Sequence, residues 1–209
     1  MPLILALIIL GIFKTMPYFS QIMKNLIIHP EDPTTTFLSP IYAQITDKTV
    51  IRGGISKSEI PKLIESHDRV LMLGHGSPWG LLIPGQFPDA GSFIIDDSMA
   101  ILLKTKTNNL YIWCHANQFV QRHGLLGLFC AMFISELGES FYYGFDDIDS
   151  DWIDQSNERF ATVVSEYINE SPEILYKKLM IEYGYLARTN PIAEFNLNRL
   201  YLASPVAAL

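Results

Sequence analysis

Two side chains that can move a proton or attack a carbonyl stand at matching places in this sequence, each just past an apolar run. The run RVLML, residues 69–73, leads into Gly74, His75 and Gly76, and the run NLYIW, residues 109–113, leads into Cys114 and His115. A thiol beside an imidazole is the pairing that activates a cysteine nucleophile: the imidazolium stabilises the thiolate and later protonates a leaving amine. Paired in this way, the Cys114 thiolate is expected to form below the free thiol's pKa of roughly 8.5. Gly76, without a side chain, leaves its backbone N–H open to a substrate oxygen, and with the Cys114 N–H it can make an oxyanion hole.

These residues meet only if the surrounding elements bring them together. After Met23, short apolar runs alternate with helical stretches. Strands are expected at residues 26–28, 49–51, 69–73 and 109–113, and a hairpin between residues 80–83 and 92–95. Helices are expected at residues 35–44, from Ser56 (whose spacing to Glu59 is that of a capping box), from Asp97 or Ser98 to Leu103, and over most of residues 157–183. Ser171 and Pro172 break that last stretch and start a new helix. Periodicity does not choose between strand and helix for residues 124–134. Continuous apolar strands separated by helices indicate an α/β fold, a three-layer sandwich with a mainly parallel sheet. In such sheets, sites form beyond the carboxyl ends of the strands, where His75 and Cys114 lie.

An apolar strand ending in His-Gly, followed about forty residues later by an apolar strand ending in Cys, resembles the caspase-like cysteine peptidases, a group that includes legumains, gingipains, clostripains and separases. Here the two blocks are RVLMLGHG and NLYIWCHA, with 39 positions between His75 and Cys114. The resemblance covers about residues 24–140. It implies a caspase-like fold, a Cys114–His75 dyad and cleavage of peptide bonds through a thioester acyl-enzyme. Caspases carry Gln-Ala-Cys-Arg-Gly at the nucleophile, and this chain has Trp113, Cys114, His115 and Ala116 there, so it departs from caspases proper. Two other readings stand beside the peptidase: a catalytically silent domain of the same fold that serves binding or assembly, and a flavodoxin-like small-molecule binder.

The resemblance implies that the substrate side chain before the scissile bond descends between strand-end loops near the nucleophile. Acidic residues on those loops are Glu31, Asp32, Asp96 and Asp97, and basic ones are Arg52 and Arg122. The balance favours a basic substrate residue met by Asp32, Asp96 and Asp97 as substrate-binding groups, and their alternative role is as caps and turn residues. Glu136 and Glu139 read as a solvated face, with reach to the same rim as the alternative, His29 and His67 as turn or surface residues, and Cys130 as inert core. Asp147, Asp149, Asp151 and Glu158 have the spacing of a calcium loop, but Trp152 stands where the loop needs glycine. The spacing of His75, Cys114, His115 and His123 matches no zinc ribbon or finger. No phosphate-loop, dinucleotide or G-x-S-x-G motif occurs, and the reading calls for no cofactor and no metal.

Hydrophobic residues make up 49% of the 209 positions and charged residues 18%, which excludes a disordered chain. The net charge of −7, with 15 Lys and Arg that form no cluster, argues against a nucleic-acid partner; a peptide or protein substrate is what the resemblance implies. Two cysteines build no disulfide scaffold and suit a reducing compartment, so the cytoplasm is the expected location. Residues 2–13, PLILALIILGIF, are shorter than the roughly 20 apolar residues of a spanning helix and lack the flanks of a secretion signal. We therefore read residues 1–22 as an apolar extension, the sole feature that suggests a membrane, and residues 23–209 as one domain with Met23 as its functional start.

Overall fold

The computed structural model describes residues 23–85 and 87–205, so the apolar extension lies outside the described residues. Six strands form the main sheet: β1 (Asn25–Ile28), β2 (Lys48–Ile51), β3 (Arg69–Leu73), and then, beyond a small second sheet, β7 (Asn109–Ile112), β8 (Gly127–Cys130) and β9 (Leu200–Ala203). The second sheet is antiparallel, β4 (Gly76–Ser77), β5 (Gly80–Leu82) and β6 (Phe93–Ile95), and contains the expected hairpin. The helices are α1 (Ile60–Ser66), α2 (Ala100–Leu103), α3 (Ala116–His123), α4 (Leu137–Tyr142), α5 (Ser150–Tyr167), α6 (Pro172–Lys178), α7 (Gly184–Ala187) and α8 (Pro191–Leu197).

The main sheet runs β2-β1-β3-β7-β8-β9, parallel except for β9. Alternate residues of each central strand point to opposite faces. Ile27, Leu71, Leu110 and Leu128 join one core with the 3₁₀ segment Pro33–Tyr42, α5 and α6. Leu26, Val70, Tyr111 and Phe129 join another with α1, α2 and α3. Both faces are covered, which gives three layers and explains why RVLML is apolar at nearly every position. Among the described residues, no helix is long and apolar enough to cross a membrane.

Three local expectations are corrected. The stretch expected as a helix over residues 35–44 is a 3₁₀ segment, Pro33–Tyr42; it starts at Asp32, whose carboxylate accepts the Thr34 N–H, and it contains Pro40, which an α-helix interior rejects. The cap before α2 is Asp96 rather than Asp97 or Ser98. His29 is fully buried, bonded to Tyr42 Oη at 3.0 Å and Thr35 Oγ1 at 3.2 Å, while His67 is part-buried against Thr49. A strand-end histidine looks like a turn residue in sequence, but here the 3₁₀ segment folds back over it.

The strand order reverses at β1. The chain goes from β1 outward to β2 and then crosses back to β3 on the other side of β1. Such a reversal opens a crevice beyond the carboxyl ends of the two strands that diverge from it. Here the strands are β1, which leads to Asp32 and Thr34, and β3, which leads to His75.

Candidate active site

His75 sits in the link between β3 and β4, and Cys114 follows Trp113 in the turn from β7 to α3. β3 and β7 are hydrogen-bonded neighbours, with Leu73 opposite Ile112, so the two residues leave adjacent strands at one level. The N–H of Gly74 still bonds to the Ile112 carbonyl at 3.0 Å, which holds the ladder together up to the residue before His75. Both His75 and Cys114 line one tight pocket with Thr35, Phe37, Phe133 and Ser135, with room of about 20 Å³, close to that of a single water.

Two backbone features present these side chains. His115 has φ 67° and ψ 21°, a left-handed conformation that costs an L-residue on the order of 1 kcal/mol and clusters at functional sites. It makes the sharp turn by which the chain leaves β7 and enters α3 directly after Cys114, and its N–H is held by the Ala131 carbonyl at 3.1 Å. Gly76 lies flat against Trp113: a Cβ there would come within 1.9 Å of the indole Cδ1. Trp113 Nε1 also donates to the Ser77 carbonyl at 3.1 Å, which fastens the β4–β5 hairpin to the end of β7.

The Gly76 N–H has a defined direction. Leu82 N–H donates to the His75 carbonyl at 2.9 Å, so Gly76 and Leu81 form a non-hydrogen-bonded pair of the antiparallel ladder. In such a pair the backbone groups point away from the partner strand. The Gly76 amide is therefore turned away from β5.

His75 is positioned by residues whose part is not visible in the sequence. Its Nε2 lies 2.6 Å from Thr34 Oγ1, and the Thr34 hydroxyl donates to Asp32 Oδ1 at 2.7 Å. A hydroxyl has one proton. With that proton given to Asp32, Thr34 accepts from His75, so Nε2 carries the hydrogen and Nδ1 is the basic nitrogen. Glu136 Oε1 stands 3.6 Å from the same Nε2, so a carboxylate faces the ring on the side of that nitrogen.

Cys114 has a different environment. Its half-buried thiol donates to the Phe133 carbonyl at 3.6 Å and lies 4.0 Å from Glu139 Oε1. Burial first, and then the Glu139 charge, push its pKa up to about 12. This reverses the expectation of a preformed thiolate. Among the described residues, no hydrogen bond joins Cys114 to His75, so the resting cysteine is a neutral thiol that is not paired with the imidazole.

Glu136 and Glu139, expected on a solvated face, both reach the rim. Glu139 Oε2 accepts the N–H groups of Ser135 at 2.8 Å and Glu136 at 3.2 Å, which starts α4 and holds the carboxylate toward the sulfur. The capping-box spacing of the two glutamates was the available sequence signal, but a cap by itself does not reveal which way its second oxygen faces.

The three aspartates separate. Asp32 stays at the site: Oδ1 takes both Thr34 bonds, which lower its pKa, and the residue lines a second pocket of about 270 Å³ with His75, Pro30, Leu82, Ile83 and Pro84. Asp96 caps the turn into α2 and pairs with Lys57, and Asp97 is held by Arg122 and His123, each at 2.8 Å. Neither lines the pockets around His75 and Cys114. Cys130 is fully buried below the rim, with its sulfur 3.2 Å from the Trp113 carbonyl. Asp149 caps α5, and among the described residues no group of three His, Cys, Asp or Glu side chains is arranged to hold a metal ion.

No protein-family model, curated protein or solved structure matches the chain. The chemistry of this rim therefore rests on its own residues.

Proposed function

We propose that the protein is a cysteine endopeptidase of caspase-like fold. The observation that carries this reading is the shared pocket of His75 and Cys114 at the carboxyl ends of two adjacent parallel strands. In the reaction, Cys114 Sγ attacks the scissile carbonyl carbon as its proton passes to His75 Nδ1. The oxyanion takes hydrogen bonds from the Gly76 and Cys114 amides. The imidazolium protonates the leaving amine, and a thioester remains on Cys114. Water, deprotonated by the same imidazole, then attacks the thioester and frees Cys114.

The pocket beside His75 suits the residue before the scissile bond. Pro30, Leu82, Ile83 and Pro84 offer apolar walls to the stem of a Lys or Arg, and Asp32, whose Oδ1 takes the two Thr34 bonds, offers the countercharge. Both cysteines are free, which suits a reducing compartment, and we assign the protein to the cytoplasm.

One observation favours the second reading, a catalytically silent domain that serves binding or assembly: the Cys114 thiol is raised to about 12 and unpaired with His75. Peptide acyloxymethyl ketones with Arg, Lys, Asp, Asn or Leu before the leaving group separate the two. The peptidase reading expects mass-spectrometric labelling of Cys114, fastest with Arg or Lys. A chain left unlabelled by the whole panel, with no fluorogenic cleavage, is the silent domain.

A further inference from the structure

A second depression begins where the Cys114 pocket ends. Phe37 lines both, and beyond it a groove of about 410 Å³ runs between the 3₁₀ segment Pro33–Tyr42 and α5. Its walls are Phe37 and Pro40 on one side and Asp154, Asn157, Glu158 and Thr162 on the other. Asp154 and Glu158 are exposed and lie one helical turn apart on the same face of α5, and among the described residues neither is held in an ion pair.

Asn157 between them is only 6% exposed. Its Nδ2 donates to the Ser135 carbonyl at 3.0 Å, and Ser135 lines the Cys114 pocket, so this side chain links the two depressions. Its Oδ1 has no hydrogen-bond partner among the described residues. A buried amide oxygen without a donor is rare in folded proteins and asks for an N–H from something else. The site thus has an unpaired amide oxygen at its base, two exposed carboxylates along its wall and an aromatic edge, and it shares Phe37 with the Cys114 pocket.

We propose that this groove is a second recognition site, which holds a Lys or Arg side chain of the polypeptide that Cys114 cleaves, at a position remote from the scissile bond. This rests on the peptidase reading for the identity of the occupant. The carboxylates of Asp154 and Glu158 face the cationic head, Asn157 Oδ1 accepts from its N–H groups or from the peptide backbone, and the aliphatic stem lies along Phe37 and Pro40. The Asp32 pocket and this groove then flank the Cys114 pocket, and the two together select a substrate with separated basic residues.

The test uses the full chain with Cys114→Ala, so that binding is read without turnover. The probes are fluorescent nonapeptide pools, each with Lys, Arg, Gln, Glu or Leu fixed at one position, followed by anisotropy at low salt. The expected result is a position at which Lys or Arg binds about tenfold more tightly than Gln, a preference that falls to about twofold when Asp154→Asn and Glu158→Gln are added. These two surface changes leave alkylation of Cys114 by iodoacetamide unchanged in the chain that retains the thiol, which shows an intact site. Asn157→Leu weakens binding of every pool by removing the acceptor. Cleavage by the unaltered chain that ignores remote Lys and Arg keeps the peptidase and overturns the groove. Selective binding that Asp154→Asn and Glu158→Gln abolish, with no cleavage of any pool, keeps the groove as a basic-peptide site and overturns the peptidase.

Discussion

The hydroxyl of Thr34 stands 2.6 Å from Nε2 of His75, across 41 residues of sequence and across the crevice where the sheet order reverses. It transmits the pull of Asp32 to the imidazole and selects its tautomer. Thr34→Val keeps the shape and removes the bond. The expected outcome is a fall in kcat of about tenfold to a hundredfold with little change in KM, because the loss is felt in proton transfer rather than in binding. Thr34→Ser restores most of the rate. Steady-state kinetics on a fluorogenic peptide check this, and equal rates for the valine variant and the native chain would remove Thr34 from the mechanism.

Glu139 controls the thiol. Its carboxylate, 4.0 Å from the sulfur, adds to burial in holding Cys114 protonated. Iodoacetamide labelling of Cys114 should therefore be slow at pH 6.5 and still rising at pH 10. Glu139→Gln removes the like charge, lowers the thiol pKa by about one unit and speeds labelling about tenfold at fixed pH. Cys130, fully buried, stays unlabelled throughout. A labelling rate that levels off near neutral pH in the native chain contradicts this arrangement.

The proposed peptidase gives Asp32 two tasks, and one substitution separates them. Asp32→Asn retains an acceptor for the Thr34 bonds but lacks the charge. The expected result is that kcat/KM for peptides with Arg or Lys before the scissile bond falls by about tenfold or more, while that for a Leu peptide changes far less. An equal fall for all peptides would confine Asp32 to the support of His75.

His29 makes the fold sensitive to acid. Its imidazole is fully buried, and its pKa is lowered to about 4 by burial first and then by the nearby Arg52 charge. The folded value lies below the unfolded value of 6.5, so the contribution to stability is complete above about pH 6.5 and disappears as pH falls towards 4. It amounts to about 3 kcal/mol. Urea midpoints measured from pH 7 to pH 4 should drop steeply in the native chain and more gently in His29→Gln, which has no proton to take up there. Parallel curves for the two proteins would rule out His29 as the titrating group.

Much of the scaffold is legible in the linear chain, because it depends on neighbours a few residues apart. RVLML and NLYIW are apolar at nearly every position because both faces of their strands are covered, and that pattern alone implies a parallel sheet between two layers. The placement of His75 and Cys114 at the ends of those strands is likewise a local fact, and the register of Leu73 opposite Ile112 brings them to one pocket. The assignments that depend on distant segments came out differently. His29 becomes core because the 3₁₀ segment folds over it; Asp97 is taken up by Arg122 and His123; Glu136 and Glu139 turn onto the rim where α4 begins. The protonation of Cys114 is the clearest case. A thiol's neighbours in sequence say nothing of how deeply it is buried or which carboxylate faces it, and those two quantities, set by the packing of β7, β8 and α4, hold it neutral.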